Sequence, residues 1–123
     1  MTKTTSQENY LKAIYLLKRQ KGLVRAIDLS DYMGLSKPSI SIAMKKLCAD
    51  GYVTVADTGN LLLTAAGEQA AEQVFSKHCY FEQLLLEAGV PLQQANEDAC
   101  RMEHAISRQS FEALQAYLAA SKA

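Results

Sequence analysis

The chain has 123 residues, of which 49% are hydrophobic and 21% charged, with no formal net charge, a balance typical of a globular protein with a modest core. It contains no apolar run of about 18 residues, and its polar start lacks the apolar segment of a signal peptide, so we expect a soluble cytoplasmic protein with no membrane partner. Its three cysteines are widely spaced and form no CxxC pair, which argues against a disulfide scaffold and favours a reducing compartment.

The N-terminal half of the chain predicts three helices. Apolar residues at intervals of three and four indicate a first helix at about 6–20 and a shorter second helix at about 26–33. The third helix begins near Ser36, a favourable N-cap, and it tolerates Pro38 because the first turn of a helix has no intrahelical partner for that N–H. An Asp-Gly pair at 50–51 ends this helix.

A hairpin is predicted directly after the third helix. In the stretch YVTVADTGNLLLT, two short apolar runs flank a turn at 57–60. A short helix, a tight turn, a second helix and a hairpin together make a winged helix-turn-helix. The sequence therefore predicts a DNA-binding domain of this type at 1–63.

The face of the third helix opposite its apolar stripe is the predicted DNA-binding surface. Small hydroxyls can reach base edges or phosphates, an apolar side chain can meet a thymine methyl, and lysines can neutralise phosphates. Residues 1–52 carry nine Lys or Arg and four acids, a formal charge of +5, and the remainder carries −5. The alternatives are a solvated amphipathic helix or a winged helix that binds proteins. The predicted DNA-binding residues are Ser36, Lys37, Pro38, Ser39, Ser41, Ile42, Lys45 and Lys46.

The second half predicts a helical domain at 64–123, so the fold class is mainly α. Thr64 is a favourable N-cap for a long helix at about 65–87, and two shorter helices are expected at 91–105 and 108–120. The apolar residues exceed what two short helices need for their own packing, so we expect a homodimer formed mainly by this domain. These residues are Leu84, Leu85, Leu86, Phe111, Leu114, Tyr117 and Leu118.

The segment EDACRMEH carries the candidate metal ligands. Cys100, Glu103 and His104 have helical offsets of zero, three and four, which predicts one shared helical face. Thiolate, carboxylate and imidazole together suit Fe(II), Co(II), Ni(II) or Zn(II) better than magnesium or calcium. A free cysteine is also commonly a buried small hydrophobe. His78 and Glu82, four residues apart on the long helix, would by themselves be an ordinary ion pair.

Short motifs along nearly the whole chain match, in their order and spacing, those of a known protein family. They are NYLKAIYLL, LSKPSISIAMKKL, GYV, LLLTAAGEQAA, KH at 77–78 and EDACRMEHAIS. In order and spacing they resemble the diphtheria-toxin-repressor and manganese-transport-regulator family of metal-dependent repressors, in its two-domain form. The resemblance implies a repressor of metal-uptake genes that binds a palindromic double-stranded DNA operator as a homodimer when Fe(II) or Mn(II) is bound.

The resemblance also implies a set of metal ligands. It makes Cys100, Glu103 and His104 ligands of one metal centre, and it places His78 and Glu82 at a second or shared site. In the family the metal joins the first helix to the helix that carries the EDACRMEH segment, which sets the spacing of two recognition helices on one operator.

Three positions depart from the family pattern. Asn9 stands where the family places a Met or Asp ligand, and it offers a neutral amide oxygen. Lys12 stands where the manganese branch has a second acid, and Asn96 stands where the iron branch has a histidine ligand. Because a thiolate and two imidazoles favour later divalent ions, and the first helix lacks the acids that Mn(II) prefers, we expect Fe(II) to be favoured over Mn(II), with Zn(II), Co(II) and Ni(II) as further candidates.

Alternatives of other classes stay open at this point. A winged-helix regulator of the same fold could respond to thiol oxidation at Cys79 or Cys100, or could have lost its response to metal. A dimeric interaction module without DNA binding is a third alternative. An enzyme is not expected, since the HExxH pattern of zinc hydrolases is absent and no separate catalytic base is evident, and we predict no catalytic residues.

Overall fold

A computed structural model describes residues 4–122 and, over that range, contains six helices and one two-stranded sheet. The mainly α fold class is confirmed. The elements in chain order are α1 (Thr5–Lys21), α2 (Ala26–Met33), α3 (Lys37–Ala49), β1 (Val53–Val55), β2 (Leu61–Leu63), α4 (Ala65–Glu87), α5 (Leu92–Met102) and α6 (Arg108–Lys122).

The chain divides into two compact units, one ending at Val74 and the other beginning at Phe75. The division lies within α4, so the first turns of that helix belong to the first unit. The predicted boundary between residues 63 and 64 separates a DNA-binding domain from a metal-binding and dimerisation domain. This functional division stays a prediction.

Local hydrogen bonds explain where α1 and α3 begin. The Thr4 side chain accepts a hydrogen bond from the backbone N–H of Gln7, and the Gln7 side chain accepts one from the N–H of Thr4, so α1 starts with a capping box. Ser36 Oγ accepts from the N–H of Ser39 at 3.3 Å and caps α3, with Pro38 in the first turn as predicted.

The core of the first unit lies between the three helices and the hairpin. The antiparallel strands pair Val53 with Leu63 and Val55 with Leu61. The N–H of Leu61 also donates to the carbonyl of Val24 at 2.7 Å, which attaches the hairpin to the segment before α2. Buried residues from every one of these elements fill the core, and they include Leu11, Ile14, Leu17, Val24, Leu29, Ile40, Met44, Leu47 and Val53.

The first turn of α4 is fixed against the start of the hairpin. Thr64 Oγ1 accepts from the N–H of Gly67 at 3.1 Å and donates to the carbonyl of Gly51 at 2.7 Å. A Cβ at Gly67 would lie 2.0 Å from the carbonyl oxygen of Tyr52, far inside contact distance. Only glycine permits this approach of the helix to the Tyr52 backbone.

The second unit has its own small core, to which α4, α5 and α6 each contribute one buried residue. Phe81, Ala99 and Phe111 are buried together, and Tyr80 packs edge-on against the rings of both phenylalanines. Phe111 therefore packs inside the unit, contrary to the expectation that it contacts the second copy of a homodimer. Tyr117 is 70% exposed and Leu114 is 39% exposed. Among the described residues, no helix is long and apolar enough to cross a membrane.

Candidate functional site

Three potential ligands from separate parts of the second unit come together in space. His78 projects from α4, Cys100 from the last turn of α5, and Glu103 from the residue that caps α5. One ligand atom of each lies within 4.8 Å of the others. His78 Nδ1 is 3.7 Å from Cys100 Sγ and 3.6 Å from Glu103 Oε2.

The backbone after α5 differs from the sequence prediction. The helix ends at Met102 rather than at about residue 105, so Glu103 and His104 lie beyond it. The chain tightens there, because the N–H of His104 donates to the carbonyl of Arg101 and that of Ala105 donates to Met102. The N–H of Glu103 still donates to the carbonyl of Ala99 at 2.9 Å, as in a helix, and after it these bonds to the third preceding residue replace the helical pattern. The prediction of one regular helix under all three ligands is therefore wrong for His104, whereas Cys100 and Glu103 keep helical backbone hydrogen bonds.

Glu82 and His104 extend the cluster at its two ends. Glu82 Oε2 lies 3.3 Å from His78 Nε2, and His104 Nε2 lies 3.5 Å from Glu103 Oε1. Each imidazole thus contacts a carboxylate, and the Glu103 carboxylate faces one imidazole through each oxygen. All five candidate ligands of the second unit belong to one series of contacts.

Burial distinguishes this cluster from an ordinary set of surface ion pairs. Glu103 has 0% exposure, and the side chains of His78 and His104 are 10% and 7% exposed. A buried carboxylate is costly unless positive charge compensates it. Sulfur, imidazole nitrogen and carboxylate oxygen are the donors that a divalent transition metal takes in proteins. The residues therefore fit such an ion.

Lys77 makes a hydrogen bond in this region that the sequence does not predict. Its Nζ donates to the carbonyl of Ile106 at 2.9 Å. This bond connects α4 to the turn that follows Glu103 and His104. A KH pair on a helix signals nothing about such a bond, because the acceptor is a backbone carbonyl 29 residues away in the chain.

The predicted first-helix ligand lies in the first unit. Asn9 is exposed on α1, where it lines a cavity of about 210 Å³ together with Lys12 and Tyr32. Asn96, at the position where the iron branch has a histidine, is exposed on α5. Ligation by Asn9 stays a prediction.

The predicted DNA-binding surface is solvent-accessible throughout. Ile42 is 71% exposed although it is apolar, while Ile40 on the opposite face has 0% exposure. Ser36 Oγ donates to Ser39 Oγ at 2.9 Å, so these two hydroxyls are held as a pair at the start of α3. The exposed residues of this surface are Ser36, Lys37, Pro38, Ser39, Ser41, Ile42, Lys45 and Lys46.

Comparison with known proteins identifies the family. The N-terminal DNA-binding domain of iron-dependent repressors matches residues 2–61, and the metal-binding and dimerisation domain of iron-dependent repressors matches residues 64–122. The transcriptional regulator MntR of Escherichia coli O6:H1 is 30% identical over 110 residues, which cover 89% of this chain and 71% of that protein. The chain belongs to the diphtheria-toxin-repressor and manganese-transport-regulator family of metal-dependent transcriptional regulators.

Solved structures of this family share the fold. The manganese regulator SloR superposes with a TM-score of 0.79 at 28% identity, over 96% of this chain and 54% of that one. A manganese-dependent transcriptional repressor in complex with manganese gives 0.81 at 27% identity, over 92% and 52%. The chain spans about half the length of these solved chains. The relatives are regulators rather than enzymes, which confirms that prediction.

Proposed function

We propose that this chain is a metal-dependent transcriptional repressor that binds a palindromic operator as a homodimer when a divalent transition metal is present. The observation that carries the proposal is the fully buried Glu103 carboxylate, which faces an imidazole through each of its oxygens beside a thiol. Family membership supports the same function, because its relatives are transcriptional regulators.

In the proposed metal centre, Cys100, Glu103 and His104 are the main ligands, and His78 and Glu82 supply a shared or second site. A bound divalent ion would supply positive charge and coordination bonds. The Glu103 carboxylate supplies the buried negative charge that attracts it. Because His78 lies on α4 and the main ligands lie on or after α5, ligation by both groups would fix these elements to one another.

The proposed mechanism of control is preorganisation. Helix α4 is continuous from Ala65 to Glu87, so the element that carries His78 is also the covalent connection to the winged helix. A metal changes DNA affinity only if it binds the operator-competent arrangement of the dimer more tightly than the others. Asn9, as a neutral ligand from α1, would add a further link.

We propose that Fe(II) is favoured over Mn(II), with Zn(II), Co(II) and Ni(II) as further candidates. The argument is the thiol of Cys100 together with two imidazoles, which favour later divalent ions over Mn(II). Mn(II) is the second candidate, because several relatives are manganese regulators by name. The physiological ion also depends on the supply of each metal in the cell. We propose that the protein is located in the cytoplasm.

The proposed DNA contact places α3 in the major groove. Lys45 and Lys46 would neutralise phosphates, and Ser39 and Ile42 would read base edges. A palindromic operator requires two copies related by two-fold symmetry, whose recognition helices lie about one helical turn apart along the DNA. The exposed Tyr117 is a candidate for the dimer contact.

Fluorescence anisotropy tests the proposal directly. A labelled DNA duplex is selected from a randomised pool by the wild-type chain with Mn(II), and binding is then measured with chelator and with Fe(II), Mn(II), Co(II) and Zn(II) in turn. We expect tight binding only with metal. Equal affinity with chelator would contradict metal control, and a change with a thiol oxidant in chelator would favour the thiol-responsive alternative. Sedimentation with metal checks the dimer, which a monomer at micromolar concentration would exclude.

A further inference from the structure

The wing of this chain carries no positive charge. Its strands and turn, residues 53–63, contain no Lys or Arg and one acid, Asp57. Such a wing could meet DNA phosphates only through backbone N–H groups, the hydroxyls of Thr54 and Thr58 and the amide of Asn60. Hydrogen bonds from neutral donors depend steeply on distance and angle. The position of the wing turn therefore decides whether it contributes to binding.

A guanidinium from the helical part of the unit holds this turn. Arg25 Nη2 donates to the carbonyl of Thr58 at 2.5 Å. A Cβ at Gly59 would lie 3.0 Å from the same Nη2, so the missing side chain at Gly59 makes room for the guanidinium. Asn60 Nδ2 donates to Thr58 Oγ1 at 2.9 Å, so the donors at the wing tip are tied to the residue that Arg25 holds.

The backbone of Arg25 is itself held in place at the start of α2. Its backbone N–H donates to Asp28 Oδ2 at 2.8 Å, and Asp28 Oδ1 accepts from Lys21 Nζ at the end of α1. These bonds join α1, α2 and the wing turn in one connected network. The side chain of Arg25 is thus a bridge between the helices and the wing.

We propose that Arg25 is a positioning residue for DNA binding, which holds the wing turn at 56–60 so that its uncharged donors meet the phosphates in a fixed position. This inference rests on the proposed DNA-binding function. It differs from a direct contact between Arg25 and a phosphate, and salt dependence separates the two. A lost phosphate contact lowers the log–log salt slope by about 0.9, whereas loss of contacts from a neutral wing leaves the slope unchanged.

Two variants disturb the contact in different ways, and a third is a matched control. Arg25→Gln removes the guanidinium. Gly59→Ala places a methyl against it and leaves every charge in place. Gly22→Ala imposes the same kind of backbone strain, since Gly22 has φ +86° and Gly59 has φ +88°, but a Cβ at Gly22 meets nothing within 4 Å.

Two measurements are made on each variant of the full chain. NMR order parameters of the Thr58, Gly59 and Asn60 amides report the wing turn without DNA. Anisotropy with the selected duplex, with Mn(II) and over a range of salt, reports binding. We expect Arg25→Gln and Gly59→Ala to lower the order parameters and to weaken binding about tenfold with an unchanged salt slope, the loss expected for one hydrogen bond to a charged group. Gly22→Ala should leave wing order and affinity close to wild type.

The double variant and the negative results complete the test. Because both changes break one contact, the double variant should bind no more weakly than the weaker single variant. Unchanged wing order in Arg25→Gln would overturn the proposal, and so would a salt slope reduced by about 0.9 in Arg25→Gln with no effect of Gly59→Ala. If the wild-type chain selects no duplex with Fe(II), Mn(II), Co(II) or Zn(II), the proposed DNA-binding function fails, and lowered wing order in the variants would show that Arg25 has a purely structural role.

Discussion

Glu103 Oε2 lies 3.6 Å from Nδ1 of His78, and the whole of Glu103 is excluded from solvent. A carboxylate in this position costs folding free energy unless a partner compensates its charge. Imidazoles compensate it only in part, because a histidine carries charge only when it is protonated. A bound divalent ion would place two positive charges beside this carboxylate, so we expect metal binding to stabilise the folded chain.

We therefore predict that Glu103→Gln abolishes the stabilisation by metal without lowering the stability of the metal-free chain. The amide keeps the shape and removes the buried charge, so the melting temperature in chelator should be equal to wild type or higher. The rise in melting temperature that Mn(II) or Co(II) gives the wild type should disappear, because ligand-induced stabilisation follows affinity. Thermal unfolding with chelator and with metal measures both.

Glu97→Gln is the matched control for this experiment. Glu97 lies on α5 as an exposed side chain, so its change should leave the metal-induced rise intact. A full metal-induced rise in Glu103→Gln would place the ion elsewhere.

The second prediction concerns Cys100 and metal preference. Cys100→Ala should weaken Co(II) binding by on the order of 100-fold or more and abolish the thiolate-to-cobalt charge-transfer band, because loss of a ligand costs at least as much as loss of a supporting residue. Cys100→Asp should narrow the ratio of Co(II) to Mn(II) affinity, since oxygen ligands suit Mn(II). Optical titration follows the band, and isothermal titration gives the affinities. Cys79→Ala, which alters an exposed cysteine, should keep the band.

Much of the fold follows from local sequence signals. Ser36 and Thr64 were recognisable as N-caps, the Asp-Gly pair at 50–51 marked the end of α3, and the turn at 57–60 placed the hairpin. Each signal acts within a few residues of itself, so no tertiary information was needed. The end of α5 could not be predicted in this way, because the helical spacing of ligands continues to His104 while the helical backbone hydrogen bonds end with the N–H of Glu103.

The sequence did not predict the contacts of the site that join residues far apart in the chain. The spacing of Cys100, Glu103 and His104 indicated the ligands, but nothing local showed that Glu103 is fully buried or that Lys77 bonds to the carbonyl of Ile106. The apolar character of Phe111 also predicted a partner surface, whereas its ring packs with Phe81. Both depend on how α4, α5 and α6 pack, which hydrophobic periodicity alone does not determine.

The third prediction concerns the phosphate contacts of α3. Replacing Lys45 and Lys46 together with Ala should weaken binding to every duplex and reduce the log–log salt slope by about 1.8, twice the contribution of one phosphate contact. Changes at Ser39 or Ile42 should alter sequence preference and leave the slope unchanged. Anisotropy at several salt concentrations measures both quantities. An unaltered slope in the double variant would show that this face of α3 does not meet phosphates.

The fourth prediction concerns pH and Asp28. The hydrogen bond from Lys21, and after it the backbone N–H of Arg25, lower the pKa of Asp28 below its ordinary value of 3.8. A lowered pKa in the folded state stabilises the protein above the ordinary value, and this stabilisation is lost as the pH falls through the lowered pKa. Urea unfolding should therefore show Asp28→Asn less stable than wild type at about pH 7, with the difference smaller at about pH 3. Asp31→Asn, an exposed acid on α2, is the control; an equal difference at both pH values for Asp28→Asn would contradict the argument.

The last prediction sets helix propensity against packing at Gly67. In an exposed helix, Gly→Ala stabilises by about 1 kcal/mol. At Gly67 the added Cβ would lie 2.0 Å from the carbonyl oxygen of Tyr52, and a backbone atom cannot move aside as a flexible side chain does. We expect Gly67→Ala to lower the free energy of unfolding by about 1–2 kcal/mol, because the cost of overpacking, about 3 kcal/mol at its upper range, exceeds the gain in propensity. Urea unfolding measures it, and the reverse change at the exposed Ala66 in the same turn, Ala66→Gly, should cost about 1 kcal/mol through propensity alone. A stabilised Gly67→Ala variant would show that α4 does not rest on the Tyr52 backbone.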